Sequence, residues 1–233
     1  MGFFNSQTKM KTYLSGLFIC LVSALLIACG GGSSTGGAFP VMPIPESPLL
    51  PPISEAPETE APNCTVALWG DSVMYGGYEI FKRLEVPPAS NLQLMLPQYR
   101  INDYSFNGAS AFHSLVSFLG NPLNEEVIVI EYGINDGNMG LPYEQSLRSM
   151  IEYSKAKNKT VVITGVLKNP ELNQVAEDLA IEYGVLFADW PSVEYQEGDT
   201  PDGTHPNQEY STRLVQRLAE VISLGVPECT PQE

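Results

Sequence analysis

Short apolar runs alternate along residues 63–229 with longer segments whose apolar positions recur every three or four residues. Uninterrupted apolar runs of this length predict parallel strands that are covered on both faces. They lie at residues 65–69, 127–132, 160–164 and 185–188, with a weaker candidate at 100–106. The periodic segments predict helices at residues 78–84, 111–119, 143–157, 170–183 and 208–224. This alternation predicts an α/β fold, a three-layer α/β/α sandwich around a parallel sheet of about five strands.

The N-terminal segment has the layout of a secretory signal peptide. Lys9 and Lys11 precede an uncharged, mostly apolar run at residues 13–28, which is short for a membrane span of about 20 residues. The run ends in Leu-Ile-Ala-Cys-Gly, which resembles the lipobox of bacterial lipoproteins. That resemblance implies cleavage after residue 28 and a lipid on Cys29, although an ordinary signal peptide or an uncleaved anchor stays open. In many such lipoproteins an aspartate directly after the cysteine leads to retention in the inner membrane. Gly30 stands at that position here, which favours the outer membrane.

Residues 29–62 are rich first in glycine and serine and then in proline, with eight prolines between positions 40 and 62. Such a composition cannot bury enough apolar surface to offset the entropy of ordering, so a tether is expected. The remaining chain is then one domain at residues 63–229, followed by a short tail at 230–233. This length is sufficient for a single hydrophobic core.

The charge of the chain is strongly negative, with 12 basic and 27 acidic residues. Removal of the signal would leave ten basic residues and a net charge of −17. Such a surface repels phosphate backbones and anionic head groups, which argues against nucleic acid as a partner. Membrane contact would therefore come through the lipid on Cys29. The predicted location is the bacterial cell envelope.

Two cysteines, Cys64 and Cys229, lie at the two ends of the predicted domain. In an oxidising compartment a pair so placed favours one disulfide. Two free or metal-binding thiols are the alternative, but one pair with no neighbouring histidine is too few for a zinc site.

Polar clusters follow the predicted strands. They are Gly70-Asp71-Ser72, Asn107-Gly108-Ala109-Ser110, Gly133-Ile134-Asn135-Asp136 and Asp202-Gly203-Thr204-His205-Pro206. Because active groups in open α/β sheets gather at the carboxyl ends of the strands, we expect the clusters to face one crevice.

In order and in spacing, these clusters resemble the sequence blocks of the SGNH hydrolases, also called the GDSL esterase/lipase family, which have a flavodoxin-like sandwich. The resemblance implies that Ser72 is the nucleophile, His205 its general base and Asp202 the residue that orients His205. It also implies an oxyanion hole made of the Ser72 and Gly108 backbone N–H groups and the Asn135 side-chain amide. The sequence departs from the family in two places: at Val73, where leucine commonly follows the serine, and at Asn107-Gly108, which are directly adjacent with no further glycine nearby.

The residue types support these roles independently. A serine hydroxyl needs a base to remove its proton, and histidine can do so near neutral pH. An imidazole that becomes charged is stabilised by a carboxylate. Asp202 is favoured over Asp199 by its three-residue spacing from His205, and His113 is interpreted as a packing or surface residue. Asp71 and Asp136 are interpreted as turn-fixing or capping residues, and no motif indicates a metal or another cofactor.

The predicted function is hydrolysis of carboxylic esters through an acyl-serine intermediate. Short connections between the blocks favour a small acyl group, such as a short-chain ester or an O-acetyl group on a glycan. Alternatives are acyl transfer to a sugar hydroxyl, lysophospholipase or thioesterase activity, and a non-catalytic surface protein that binds glycans. The sequence leaves the oligomeric state open.

Overall fold

The structure, a computed structural model, describes residues 63–78, 82–226 and 229. Five strands form one sheet in which every neighbouring pair is parallel. They are β1 (Thr65–Gly70), β4 (Arg100–Asp103), β5 (Val127–Glu131), β6 (Thr160–Thr164) and β7 (Leu186–Ala188), in the order β4-β1-β5-β6-β7. A two-stranded antiparallel pair, β2 (Gly77–Tyr78) and β3 (Lys82–Arg83), lies apart from this sheet.

Helices cover both faces of the sheet. They are α1 (Ser72–Tyr75), α2 (Pro88–Met95), α3 (Ala111–Gly120), α4 (Ile134–Met139), α5 (Tyr143–Ala156), α6 (Pro170–Tyr183) and α7 (Gln208–Gly225). The apolar side chains of α2 and α7 pack on one face of the sheet, and those of α3, α5 and α6 pack on the other. All residues of β1 and β5 are buried for this reason. The predicted three-layer α/β sandwich with five parallel strands is confirmed.

Side-chain caps fix where α3, α6 and α7 begin, because they satisfy backbone N–H groups that have no partner within the helix. Ser110 accepts from the N–H of His113 at the start of α3. Asn169 caps α6, in which Pro170 occupies the first turn, and Asn207 caps α7. The predicted helices at 111–119, 170–183 and 208–224 thus have the same first residues as α3, α6 and α7.

The predicted helix at 78–84 is wrong. Gly76 has a φ of 74°, which ends α1, and Tyr78 then pairs with Lys82 in the antiparallel pair. A left-handed residue followed by a second glycine favours a turn into extended chain over continuation of a helix. The helix α2 was missed because two adjacent prolines interrupt the apolar pattern there. Pro88 occupies its first turn, where a missing N–H costs little.

The two ends of the described domain are joined by the Cys64–Cys229 disulfide, 165 residues apart in the sequence. The predicted pairing is confirmed. The predicted signal peptide, tether and tail, at residues 1–28, 29–62 and 230–233, lie outside the described residues. Within the part of the chain that the structure describes, no helix is both long and apolar enough to cross a membrane.

The strand order places a crevice between β1 and β5. From β1 the chain first adds β4 on one side of the sheet, and it then returns to add β5, β6 and β7 on the other. The connections after β1 and β5 therefore diverge to opposite faces. Open α/β sheets bind their ligands at such a switch point, outside the carboxyl ends of the strands.

Candidate active site

Ser72 lies at the carboxyl end of β1, as the first residue of α1. The side chain of Asp71 caps this helix by accepting the N–H of Val73 at 2.8 Å. The cap forces the chain to turn immediately after the strand, which leaves the Ser72 side chain at the mouth of the crevice. Ser72 is only 6% exposed, so its side chain is largely shielded by its neighbours.

His205 lies within hydrogen-bond distance of both predicted partners. Its Nε2 is 2.9 Å from Ser72 Oγ, and its Nδ1 is 2.6 Å from Asp202 Oδ2. The other oxygen of Asp202 accepts the backbone N–H groups of Thr204 and His205. The structure therefore brings Ser72, His205 and Asp202 into one hydrogen-bonded chain, although they come from opposite ends of the domain.

The Asp202 carboxyl stays ionised over a wide range of pH. Burial opposes its ionisation, but hydrogen bonds from the His205 side chain and from two backbone N–H groups outweigh that effect and lower the pKa to about 2. An ionised Asp202 accepts the proton on Nδ1 of His205. Nε2 then carries the lone pair and faces the Ser72 hydroxyl, which is the arrangement that a general base needs.

Asp199 and His113, the alternatives to Asp202 and His205, have other partners. Asp199 accepts the N–H of Gln196 at 2.7 Å and forms an ion pair with Arg213 at 2.5 Å, and these contacts outweigh burial and lower its pKa. His113 Nδ1 is 2.9 Å from Ser110 Oγ, in the first turn of α3. Neither side chain hydrogen-bonds to Ser72 within the described residues.

The predicted oxyanion donors come from two neighbouring loops. Gly108 follows β4 and has a φ of 77°, a conformation that L side chains rarely adopt. Asn135 lies in the first turn of α4, and its Nδ2 donates to the carbonyl oxygen of Ala109 at 2.7 Å. Asp136 accepts the N–H groups of Ala111 and Phe112 at 2.9 and 3.1 Å. The structure thus ties the Asn135 block to the Gly108 block.

The Gly108 loop also borders the turn that carries Ser72. The N–H of Phe106 donates to the carbonyl oxygen of Gly70 at 3.0 Å. A side-chain carbon at Gly77 would lie 2.7 Å from Asn107 Oδ1. The loops after β1, β4 and β5 therefore meet at one edge of the sheet, as the sequence clusters predicted.

Two charged residues of this region were missed by the sequence analysis. Glu131 ends β5 and accepts the N–H groups of Asp71 and Met74, at 3.0 and 3.3 Å. Lys168 donates from Nζ to Thr200 Oγ1 and to the carbonyl oxygen of Gly203, both at 2.6 Å, and so supports the loop that carries His205. A charged residue that ends an otherwise apolar strand was the available signal for Glu131, whereas the sequence around Lys168 offers none.

A cavity of about 410 Å³ opens beside His205. Its lining residues are Tyr78, Leu84, Glu85, Pro201, Asp202, His205, Pro206, Asn207 and Gln208. The amide of Gln208 is bonded to both backbone groups of Val86, and that of Asn207 is bonded to Tyr210 and Gly198. Because these amides already have partners, the cavity offers a ligand mainly apolar contacts. Across the described residues, no group of three or more His, Cys, Asp or Glu side chains could hold a metal ion.

The sequence matches no protein family model, and no curated protein matches it significantly. Solved structures do share its fold. A protein described as a GDSL-like lipase from Parabacteroides merdae superposes with a TM-score of 0.58 and 18% identity, covering 70% of this chain and 96% of its own.

Two further solved structures have the same fold. A psychrotrophic esterase from Pseudoalteromonas sp., in a structure inhibited by monoethylphosphonate, has a TM-score of 0.57 and 16% identity, covering 70% of this chain and 99% of its own. A member of the lipolytic G-D-S-L family from Veillonella parvula has a TM-score of 0.57 and 16% identity, with coverages of 68% and 98%. The chain has the fold of GDSL lipases and esterases, so the predicted resemblance is confirmed at the level of the fold.

Proposed function

We propose that this chain is a serine hydrolase of carboxylic esters and belongs to the SGNH family. The observation that carries this proposal is the hydrogen-bonded chain from Ser72 Oγ through His205 to Asp202, at the switch point of the sheet. Serine, histidine and an acid in this geometry form a nucleophile, its base and the group that orients the base. The fold shared with GDSL lipases and esterases supports the same reaction class.

In the acylation step, His205 Nε2 takes the proton of Ser72 Oγ as this oxygen attacks the ester carbonyl carbon. The carbonyl oxygen becomes an oxyanion, which the Ser72 and Gly108 N–H groups and the Asn135 amide stabilise. The imidazolium, held by Asp202, then gives its proton to the departing alcohol. An acyl group remains on Ser72.

In the second step a water molecule takes the place of the alcohol. His205 removes one of its protons as the water oxygen attacks the acyl carbon, and the same donors stabilise the second oxyanion. The ester bond to Ser72 breaks, Oγ recovers its proton from His205, and the carboxylic acid leaves. A sugar hydroxyl in place of water would give acyl transfer.

The substrate we propose is a small, uncharged ester, either a short-chain ester or an O-acetyl group on a glycan. The cavity of about 410 Å³ is at the small end of the usual range for ligand sites, about 300–1,000 Å³. Its mainly apolar contacts suit an aliphatic or ring group, and the acidic chain disfavours anionic substrates. Lysophospholipids and thioesters of long acids are less well accommodated.

A panel of p-nitrophenyl esters from acetate to decanoate tests this function, with release of acetate from acetylated xylan measured in parallel. We expect turnover that is fastest for the short acyl groups and is abolished in S72A. Turnover that rises up to decanoate would contradict the small-acyl proposal. No turnover of any ester, with glycan binding retained, would favour the non-catalytic alternative, and acylated sugar products would favour a transferase.

We also propose that the protein is anchored in the bacterial envelope through a lipid on Cys29, with the outer membrane favoured. The motif at residues 26–30 and the proline-rich stretch after it support this. The mature N-terminal peptide should carry a mass increase on Cys29, and C29S should release the protein from membrane fractions. An unmodified Cys29 in a membrane-bound protein would contradict the proposal.

A further inference from the structure

Glu131 is a buried carboxyl directly beneath the turn that carries Ser72. It is 4% exposed, and its Oε2 accepts the N–H of Asp71 at 3.0 Å and the N–H of Met74 at 3.3 Å. These two peptide groups lie on either side of the nucleophile. Its backbone carbonyl oxygen also accepts the Asp71 N–H, at 3.1 Å. One residue of β5 therefore holds the start of the turn and its first helical residues.

We propose that Glu131 is a positioning residue that fixes the Ser72 turn, and that it does so as the protonated member of a pair with Asp71. Fixing the peptide groups around Ser72 keeps Oγ within reach of His205 and keeps the Ser72 N–H aimed at the oxyanion. Reacting groups must be held to a fraction of an ångström for efficient catalysis. This inference rests on the proposed esterase function.

The close approach of Glu131 to the turn depends on Gly70. The two residues are directly paired in register between β1 and β5. A side-chain carbon at Gly70 would lie 2.6 Å from Glu131 Oε2 and 2.5 Å from Met74 Cβ. No real Cβ tolerates such distances, so the glycine leaves the space that the carboxyl occupies.

The hydrogen bonds indicate that the pair holds a proton. Asp71 Oδ1 accepts the N–H of Val73, whereas Asp71 Oδ2 is buried and meets no donor among the described residues. A proton on Glu131 supplies that donor, because the two side chains are within hydrogen-bond reach. A buried acceptor without a donor destabilises the folded state, so the shared proton stabilises the turn.

Electrostatics favour the same arrangement. Burial raises the pKa of Asp71 to about 7. Burial, followed by repulsion from Asp71, raises the pKa of Glu131 well above its ordinary value. His205 on the catalytic loop favours ionisation of Asp71, and Asp136 on α4 opposes it. Tyr132 and Tyr143, two further titratable groups near the pair, have raised pKa values and stay neutral.

The amide of glutamine reproduces the protonated carboxyl at every pH. In E131Q, the amide oxygen can accept the two N–H groups and the NH2 group can donate to Asp71. We expect E131Q to keep the rate of the wild type within about threefold at pH 7. At alkaline pH the wild type should lose rate once Glu131 loses its proton and the two carboxylates repel, whereas E131Q should not show that loss.

Removal of the carboxyl should have a different effect. In E131A the turn loses its anchor, and we expect kcat to fall roughly 10- to 100-fold with KM changed by less than about threefold. The matched control is E125Q. Glu125 is an equally buried acid that contacts Asn102 and Tyr104, away from the Ser72 turn. Its replacement should therefore change neither kcat nor the loss of rate at alkaline pH.

The experiment measures kcat and KM from pH 5 to 10 for the wild type, E131Q, E131A and E125Q, with a thermal melt of each. If the wild type is active and E131Q loses rate at alkaline pH in the same way, this inference is overturned and the proposed function stays intact. The same conclusion follows if folded E131A keeps its kcat. If E131A does not fold, the E131Q profile decides. A wild type without turnover would overturn the proposed function and this inference together.

Discussion

Replacement of Asn135 by alanine tests the proposed oxyanion donor separately from the rest of the site. The carboxamide of asparagine carries two N–H donors, and one of them bonds the carbonyl oxygen of Ala109 at 2.7 Å. We expect the second to face the oxyanion at the edge of the crevice. N135A removes it and leaves Ser72 and His205 in place.

The expected loss follows from the strength of a single donor of this kind. Removal of one oxyanion-hole donor costs roughly 3–4 kcal/mol, or about 100- to 1,000-fold in kcat. The ground-state carbonyl makes little use of this donor, so KM should change by less than about threefold. N135D should lose more, because a carboxylate offers no donor and its charge repels the oxyanion.

The assay is steady-state hydrolysis of p-nitrophenyl acetate at fixed pH, with a thermal melt of each variant. N138A is the matched control, since Asn138 is an exposed asparagine on the same helix, α4. N135A also loses the contact with Ala109, and an unchanged melting temperature would separate that loss from the loss of the donor. A kcat within about threefold of the wild type, or a loss confined to KM, would refute the role of Asn135.

Three other predictions follow from the same geometry. S72A should fold normally and show no turnover, and an organophosphonate should add one adduct to Ser72 of the wild type; labelling of another serine would contradict the assignment. H205A should lose more rate than N135A and recover part of it at high pH, where hydroxide replaces the base, while H113A stays within a few-fold of the wild type. Peptide mapping without reduction should find Cys64 joined to Cys229, and the double serine variant should lose about 5 kcal/mol of unfolding free energy in urea, the chain-entropy value for a separation of 165 residues. A loss below about 1 kcal/mol would mean that packing alone holds the ends.

The parts of the fold that could be predicted are those in which local pattern and tertiary environment agree. The apolar run at residues 160–164 and the periodic segment at 170–183 coincide with β6 and α6. Where tertiary contacts decide the conformation, the prediction failed. Residues 78–84 were expected to be helical, but Tyr78 pairs with Lys82 after a left-handed glycine whose backbone angle no apolar period reports.

The candidate site shows the same division. The polar clusters after the strands indicated Ser72, Asn135 and His205 because strand ends in a parallel sheet share one edge. Glu131 was not recognised, because a single charged residue near the end of an apolar strand does not reveal what its side chain contacts. Its importance arises from a contact across the sheet, with a turn 60 residues earlier in the chain.

The class of fold, the alternation of strands and helices and the residue types at the strand ends could all be predicted from the sequence. These features depend on side-chain periodicity and on residue chemistry, which are local. The three-dimensional structure was needed to place Asp199 against Arg213, to make β1 and β5 neighbours, and to bring Asp71 and Glu131 into one buried environment. Those facts depend on the order of the strands and on distances between residues far apart in the chain, and a linear pattern does not contain them.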